Sequence, residues 1–370
     1  MTRLNTLFVF LILFFLSLNE FYHESFGRLL DYLSLVLIIL FFLIDKSNRR
    51  LVKSDLSLFL FFSPFIIAGL INLKILPSLA VFFGVTLISF FTKNIMRSKV
   101  DLGLILDFVL LLHLIAFILQ IFAFYVLNIP FSYIDFFPFF QQSRVYNEGL
   151  NLLRPGGFMM EPNSYSANVF MLVFLNYRIS NRLSNLSIAA LISVPFTTSL
   201  WGIGMISLLG FLNLTTKYKI LVIGLFAVLL PIILAFLGNS IAFERVLRIL
   251  EDPTSDNSIV TRLGLETKSS VNILNLFFGN GINSTDFQAF LGGNGISYVL
   301  YCFGILGSII LLYWIIVSNN IKITILVLFF HLTFPYYSYL IYWVFLTVLL
   351  KGINFSNNKG NLYNENSSLL

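Results

Sequence analysis

Apolar residues run along this chain in blocks rather than in alternation. Blocks of roughly 15 to 25 residues fall at 5–19, 29–45, 56–72, 75–92, 102–128, 164–178, 185–199, 200–214, 219–237, 297–317, 322–335 and 337–350, with polar clusters between them. Several are short for a helix that crosses a bilayer, which takes about 20 residues. Continuous runs such as Leu102 to Leu127 also exclude the short alternating segments of an outer-membrane barrel. The pattern predicts an all-α, polytopic integral membrane protein with about twelve transmembrane helices. The boundary is least distinct near Leu200, where two short blocks meet.

Composition removes the soluble alternative. The chain is 58% hydrophobic, 17% aromatic and only 11% charged, with a mean hydropathy of +0.90, whereas a soluble globule carries about a quarter charged residues. Arg3 followed by the apolar run Leu7–Leu18 has the look of a signal sequence. The SLNEFYHE that follows offers no small-residue cleavage site, so the run reads as an uncleaved first span. One cysteine, Cys302, inside an apolar run excludes a disulfide framework and a cysteine metal cluster.

Charge changes the picture through its placement. With the N-terminus cytoplasmic, the inner loops hold Arg3; Lys46, Arg49, Arg50 and Lys53; Lys93, Arg97 and Lys99; Arg178 and Arg182; Lys217 and Lys219; Lys322; and Lys351 and Lys359, fifteen of the 23 basic residues. That asymmetry predicts both termini inside. The net charge of +6 is therefore a topology signal, and nucleic acid is not an expected partner. Residues 1–352 read as one transmembrane domain, and 353–370 as a polar, disordered cytoplasmic tail. Six of the eight remaining basic residues lie in two long outer loops, about 129–163 and 238–296, and long loops set against the topology rule carry function. No internal repeat is visible, which argues against an inverted-repeat transporter.

The first outer loop opens with the aromatic patch Phe131–Phe140, either an interface belt or a platform for an isoprenoid or sugar ring. It continues to RPGGFMMEPNSYSAN, Arg154 to Asn168. This stretch sets Arg154, a Gly156-Gly157 turn and Glu161 at the mouth of an apolar segment. Pro162 suits a first helical turn, and Asn163 and Ser164 suit capping of its free amides. Arg144 and Glu148 lie in the same loop. Arg154 and Glu161 either form a ligand site at a helix N-terminus, where anions are favoured, or simply pair with each other. In the second outer loop IAFERVLRILED predicts an amphipathic helix in which Glu244 precedes Arg248 by four residues, so Arg245 and Arg248 are either self-paired or ligand-binding. Arg262 begins a further predicted helix that Gly279-Asn280-Gly281 closes, and Asn294 stands at the head of the span that follows. His23, His113 and His331 lie far apart without ligand spacing, and the last two read as hydrogen-bonded interior residues. Asp252 and Asp256 are too loose a pair for a cation site.

These motifs, LLRPGGFMMEPNSYSAN, TRLGLETK with GNG, and GGNGISYVLYCFGILG, resemble the O-antigen and capsular polysaccharide polymerases, the Wzy type of the O-antigen polymerase and ligase superfamily. Two features depart from that pattern. The spaced arginine–glycine motif of some polymerases ends on Pro155 when counted from Arg144, one position before Gly156, and on Ile273 when counted from Arg262. The ligases' histidine beside the asparagine is replaced by Gly293-Asn294, which favours polymerase over ligase.

The resemblance implies a metal-independent glycosyltransferase of the bacterial inner membrane that needs no cofactor. It would join undecaprenyl-diphosphate-linked repeat units into surface polysaccharide, lipopolysaccharide O-antigen or capsule, on the outer face. Its partners would be the lipid-linked glycan donor and acceptor, membrane lipid and, optionally, a chain-length regulator protein. Arg154 and Arg262 would neutralise the diphosphate leaving group by bidentate hydrogen bonds, and Glu161 would be the base for the acceptor hydroxyl. Arg144, Arg245, Arg248, Asn163, Asn294, Gly156 and Gly157 would bind substrate. A ligase of the same superfamily, a lipid-linked oligosaccharide flippase and a non-enzymatic scaffold remain the alternatives.

Overall fold

The computed structural model describes residues 2–18, 29–44, 67, 70, 75–98, 100–133, 146–147, 152–180, 182–197, 199–213, 273–280, 295–331 and 340–350. Among them the chain is all-helical apart from one antiparallel pairing of two-residue strands, β1 (Tyr146–Asn147) and β2 (Leu152–Leu153), with Tyr146 opposite Leu153. The helices are α1 (Thr2–Ser17), α2 (Leu29–Ile44), α3 (Ile75–Arg97), α4 (Leu102–Tyr125), α5 (Pro162–Ser180), α6 (Asn185–Ser193), α7 (Leu200–Asn213), α8 (Ile273–Phe278), α9 (Gly295–Ser318), α10 (Ile321–His331) and α11 (Leu340–Leu350).

Helix positions follow the apolar blocks closely. Blocks 219–237 and 56–72, the latter except Ile67 and Leu70, lie outside the described residues. Two described helices are long and apolar enough to cross a membrane, α4 and the Val299–Val317 part of α9. The other helices have shorter apolar stretches, such as Phe82–Met96 within α3. The boundary near Leu200 is sharp. Pro195 lacks the N–H an α-helix needs, and Val194–Thr197 tightens into a 3-10 turn after α6. Ser199 then starts α7, its Oγ accepting from Gly202 N at 3.1 Å. Asp101 caps α4, accepting from Leu104 N at 3.1 Å, and Ser184 and Asn320 cap α6 and α10 in the same way. Such caps satisfy amides that a helix cannot satisfy itself.

The bundle is built around α5. Fourteen of its 19 residues are buried, and it packs against α4, α6, α7 and α11. Gly202 lets α7 approach closely, since a side chain there would collide with Ser166 and Val194. Below that contact an aromatic layer ties four helices. Phe170 stacks on Phe330 at 5.9 Å, Trp201 meets Phe330 edge-on at 5.5 Å, and Phe174 meets Phe345 at 5.2 Å.

Polarity is arranged inside out. On α4, Leu104, Phe108, Ile115, Ile118, Leu119 and Phe122 are exposed, while His113 and Gln120 are fully buried. Buried polar side chains join helices pairwise, as Thr347 does by donating to Ser89 across α11 and α3 at 3.0 Å. His331 meets the Tyr342 hydroxyl at 2.6 Å between α10 and α11.

Helix α9 is broken at Gly304, whose φ of 63° and ψ of −173° are not helical. The reason is α8. Gly279, at φ 84°, ends that short helix and lies directly against the break, so that a Cβ on Gly279 would overlap the Cys302 carbonyl and one on Gly304 the Phe277 carbonyl. The interrupted helix leaves the Tyr301 carbonyl available, and Asn280 takes it with its backbone N at 2.7 Å and its side-chain Nδ2 at 3.3 Å. Gly279 and Asn280, the described residues of the predicted Gly279-Asn280-Gly281 turn, thus dock into a helix interior.

Two substitutions test this packing by thermal unfolding in detergent. Gly304→Ala forces a side chain into a backbone region essentially reserved for glycine (φ 63°, ψ −173°), at a cost of about 1–3 kcal/mol in addition to the collision, so the melting temperature falls by several degrees. Gly210→Ala on α7, where a Cβ meets nothing within 4 Å, raises stability by about 0.5–1 kcal/mol.

Candidate functional site

Helices α4 and α5 run antiparallel, with Asn176 donating to Asp107 at 2.7 Å, Asn168 beside His113 at 3.4 Å and Tyr165 stacked on Phe117 at 4.8 Å. Extending that register puts Pro162 level with Gln120. Helix α5 therefore starts about 7–8 Å, at ~1.5 Å per residue, short of the C-terminal end of α4. The Arg154–Glu161 stretch fills that step.

Gln120 fixes the stretch there. Its Oε1 accepts from both Gly156 N at 2.9 Å and Gly157 N at 3.0 Å. Its Nε2 donates to the Phe131 carbonyl at 2.9 Å. One fully buried carboxamide thus holds the start of the first long loop and the turn near its end. Gly157 has φ 56°, and a side chain there would press on Tyr165 and the His113 carbonyl. Met159 N closes the turn on Gly156 O at 2.9 Å. Phe158 drops into an aromatic nest, 4.9 Å from Tyr133, 5.5 Å from His113 and 6.0 Å from Phe14. Tyr133 is anchored by donating to Ala116 O at 3.0 Å, and burial raises its pKa, which keeps the phenol a donor.

The sequence-predicted residues divide accordingly. Arg154 and Glu161 are both half-buried at the step. Glu161 stands at the N-cap of α5, its carbonyl accepting from Ser164 N at 3.1 Å and Tyr165 N at 3.2 Å, and Pro162 takes the first-turn position expected of it. The glycines shape the turn, but their amide hydrogens are spent on Gln120. Asn163 turns sideways, its Oδ1 accepting the Ser199 hydroxyl at 2.5 Å, and so links the starts of α5 and α7 where capping of its own helix was expected. Ser164 Oγ is buried without a hydrogen-bond partner. Arg144, Arg245, Arg248, Arg262 and Asn294 lie outside the described residues.

Beneath the step lies a buried polar cluster. Ser17 Oγ donates to Phe14 O at 2.6 Å and lies 2.8 Å from His113 Nε2, and Asn168 Nδ2 donates to Ser17 O at 3.0 Å. At the opposite end of α5, Asp107 Oδ1 accepts from Asn176 and from Ser184 Oγ at 2.5 Å. Sequence reading passed over Gln120, although a polar side chain in an otherwise apolar span is itself a signal.

No family model, curated protein or solved structure matches the chain.

Gln120→Leu removes the partner of three backbone groups, and each buried group left unsatisfied costs about 1–3 kcal/mol. Hydrogen–deuterium exchange by mass spectrometry should show the Gly156 and Gly157 amides exchanging at least about tenfold faster, the equivalent of ~1.4 kcal/mol, with α11 unaffected.

Proposed function

We propose that the chain is a polytopic membrane glycosyltransferase with about twelve spans and cytoplasmic termini, which polymerises undecaprenyl-diphosphate-linked repeat units on the outer face of a bacterial inner membrane. The membrane assignment is supported by the exposed apolar face of α4 beside its buried His113 and Gln120, the polarity expected where lipid is the solvent.

The observation that carries the activity is the step itself. A glutamate at the N-cap of a recessed helix, with an arginine seven residues earlier on a turn clamped by Gln120, supplies base and cation from one rigid segment. In the transfer, the acceptor hydroxyl attacks the donor's anomeric carbon and gives its proton to Glu161. The bond from that carbon to the diphosphate breaks with its electron pair on the leaving oxygen, and Arg154 and Arg262 stabilise the developing charge. Preorganised cations in a low-dielectric cleft lower such a barrier by several kcal/mol. Arg144, Arg245, Arg248 and Asn294 would hold the two glycans.

A second reading has its own support. Discontinuous membrane helices surround the sites of transporters, and the break at Gly304 with its docked Gly279-Asn280 turn favours a lipid-linked oligosaccharide flippase.

Complementation of a deletion strain separates the two. With expression verified, Arg154→Ala, Arg262→Ala and Glu161→Gln should each reduce the surface-polysaccharide ladder on a gel to core bearing a single repeat unit. Loss of the single-unit product as well would support the flippase or a ligase, and an unchanged ladder would rule out these residues as the site.

A further inference from the structure

Three buried polar atoms at the start of α5 and on the facing α4 lack a hydrogen-bond partner: Ser164 Oγ, Asn168 Oδ1 and His113 Nδ1. Ser164 and Asn168 are one helical turn apart on the same side of α5, and Glu161, at the half-buried N-cap, lies almost a turn above Ser164. Asn168 Nδ2 in turn lies 3.4 Å from His113 Nε2, on the same ring as the unpartnered Nδ1. Buried groups of this kind are ordinarily paired with protein or ordered water.

Proton accounting at His113 sharpens the point. A neutral imidazole has one N–H and one bare nitrogen. If Ser17 keeps its proton on Phe14 O, Nε2–H donates to Ser17, and Nδ1 is a bare acceptor that wants a donor. If Ser17 donates to Nε2 instead, Nδ1 carries the hydrogen and wants an acceptor. Asn168 Oδ1 wants a donor in either case. Only a group that both donates and accepts suits every arrangement. With His113 at 0% and Asn168 at 1% exposure, the place is enclosed, so the occupant has to be small.

We infer that a column of ordered water runs from Glu161 along the Ser164–Asn168 face of α5 and ends on His113. Each water would find polar partners of the kind that internal waters require. The column stands whether or not the chain is a polymerase, and it gives His113 a route for proton exchange despite its burial.

His331 is the built-in control. It is also buried, at 5% exposure, but both its ring nitrogens are partnered, by the Val327 carbonyl and the Tyr342 hydroxyl. Pulsed X-ray hydroxyl-radical labelling of the full-length protein in detergent, read by mass spectrometry, compares the two rings. Radicals born from bound water should oxidise His113 several-fold faster than His331, and Asn168→Leu should bring His113 down to the His331 level. Equal protection of the two histidines in the wild type overturns the inference. So does undiminished oxidation of His113 in an Asn168→Leu protein whose His331 stays protected.

Discussion

Backbone that leaves the helix inside an apolar bundle must find hydrogen-bond partners, because no water surrounds it to supply them. This chain meets the demand twice with a carboxamide. At the Gly156-Gly157 turn Gln120 collects two amides and returns a hydrogen to the Phe131 carbonyl. At the Gly304 break Asn280 serves the Tyr301 carbonyl. A carboxamide suits both places because it donates and accepts without charge. Each non-helical segment is also sealed by a glycine with positive φ, so steric and hydrogen-bond requirements coincide. The recessed start of α5, and with it the position of Arg154 and Glu161, depends on the first of these two arrangements.

The second organising feature is the burial of a polar helix. Around α5, five polar residues each reach a different neighbour: Asn163 reaches Ser199, Tyr165 reaches Ser193, Ser166 reaches Thr197, Asn168 reaches Ser17 and Asn176 reaches Asp107. Bonds of this kind are directional, and packed apolar surfaces alone are not. They set rotation and height along the helix, while the aromatic layer of Phe170, Phe330 and Trp201 supplies bulk.

Much of this was legible in the sequence, for identifiable reasons. Apolar blocks located the described helices, since length and continuity of hydrophobicity are local properties. The division near Leu200 was the least distinct boundary in the sequence, and the structure traces it to Pro195 and Ser199. Pro162 and the Pro-Gly-Gly turn were legible because their backbone preferences are their own. The role of Gln120 was not, because its partners lie 36 and 37 residues away in the chain and nothing local announces them. Gly304 looked like an ordinary helix glycine, and only the approach of Gly279 makes it a break. Asn163 read as a cap from its position alone, yet a stronger partner, the Ser199 hydroxyl, comes from a helix that sequence proximity could not supply.

In the membrane reading, the burial of α5 has a consequence for biosynthesis. A nascent segment carrying Asn163, Ser164, Ser166, Asn168 and Asn176 has no face apolar enough to rest stably in lipid by itself. The partners of its two deepest asparagines, Ser17, His113 and Asp107, belong to α1 and α4, which the ribosome makes earlier. Those of its outer half, Ser193, Thr197 and Ser199, follow 28, 31 and 36 residues after the groups they bind. Insertion of α5 is therefore a step of assembly, in which the segment leaves the translocation channel for a cradle half built by α1 and α4 and completed once residues 193–199 follow.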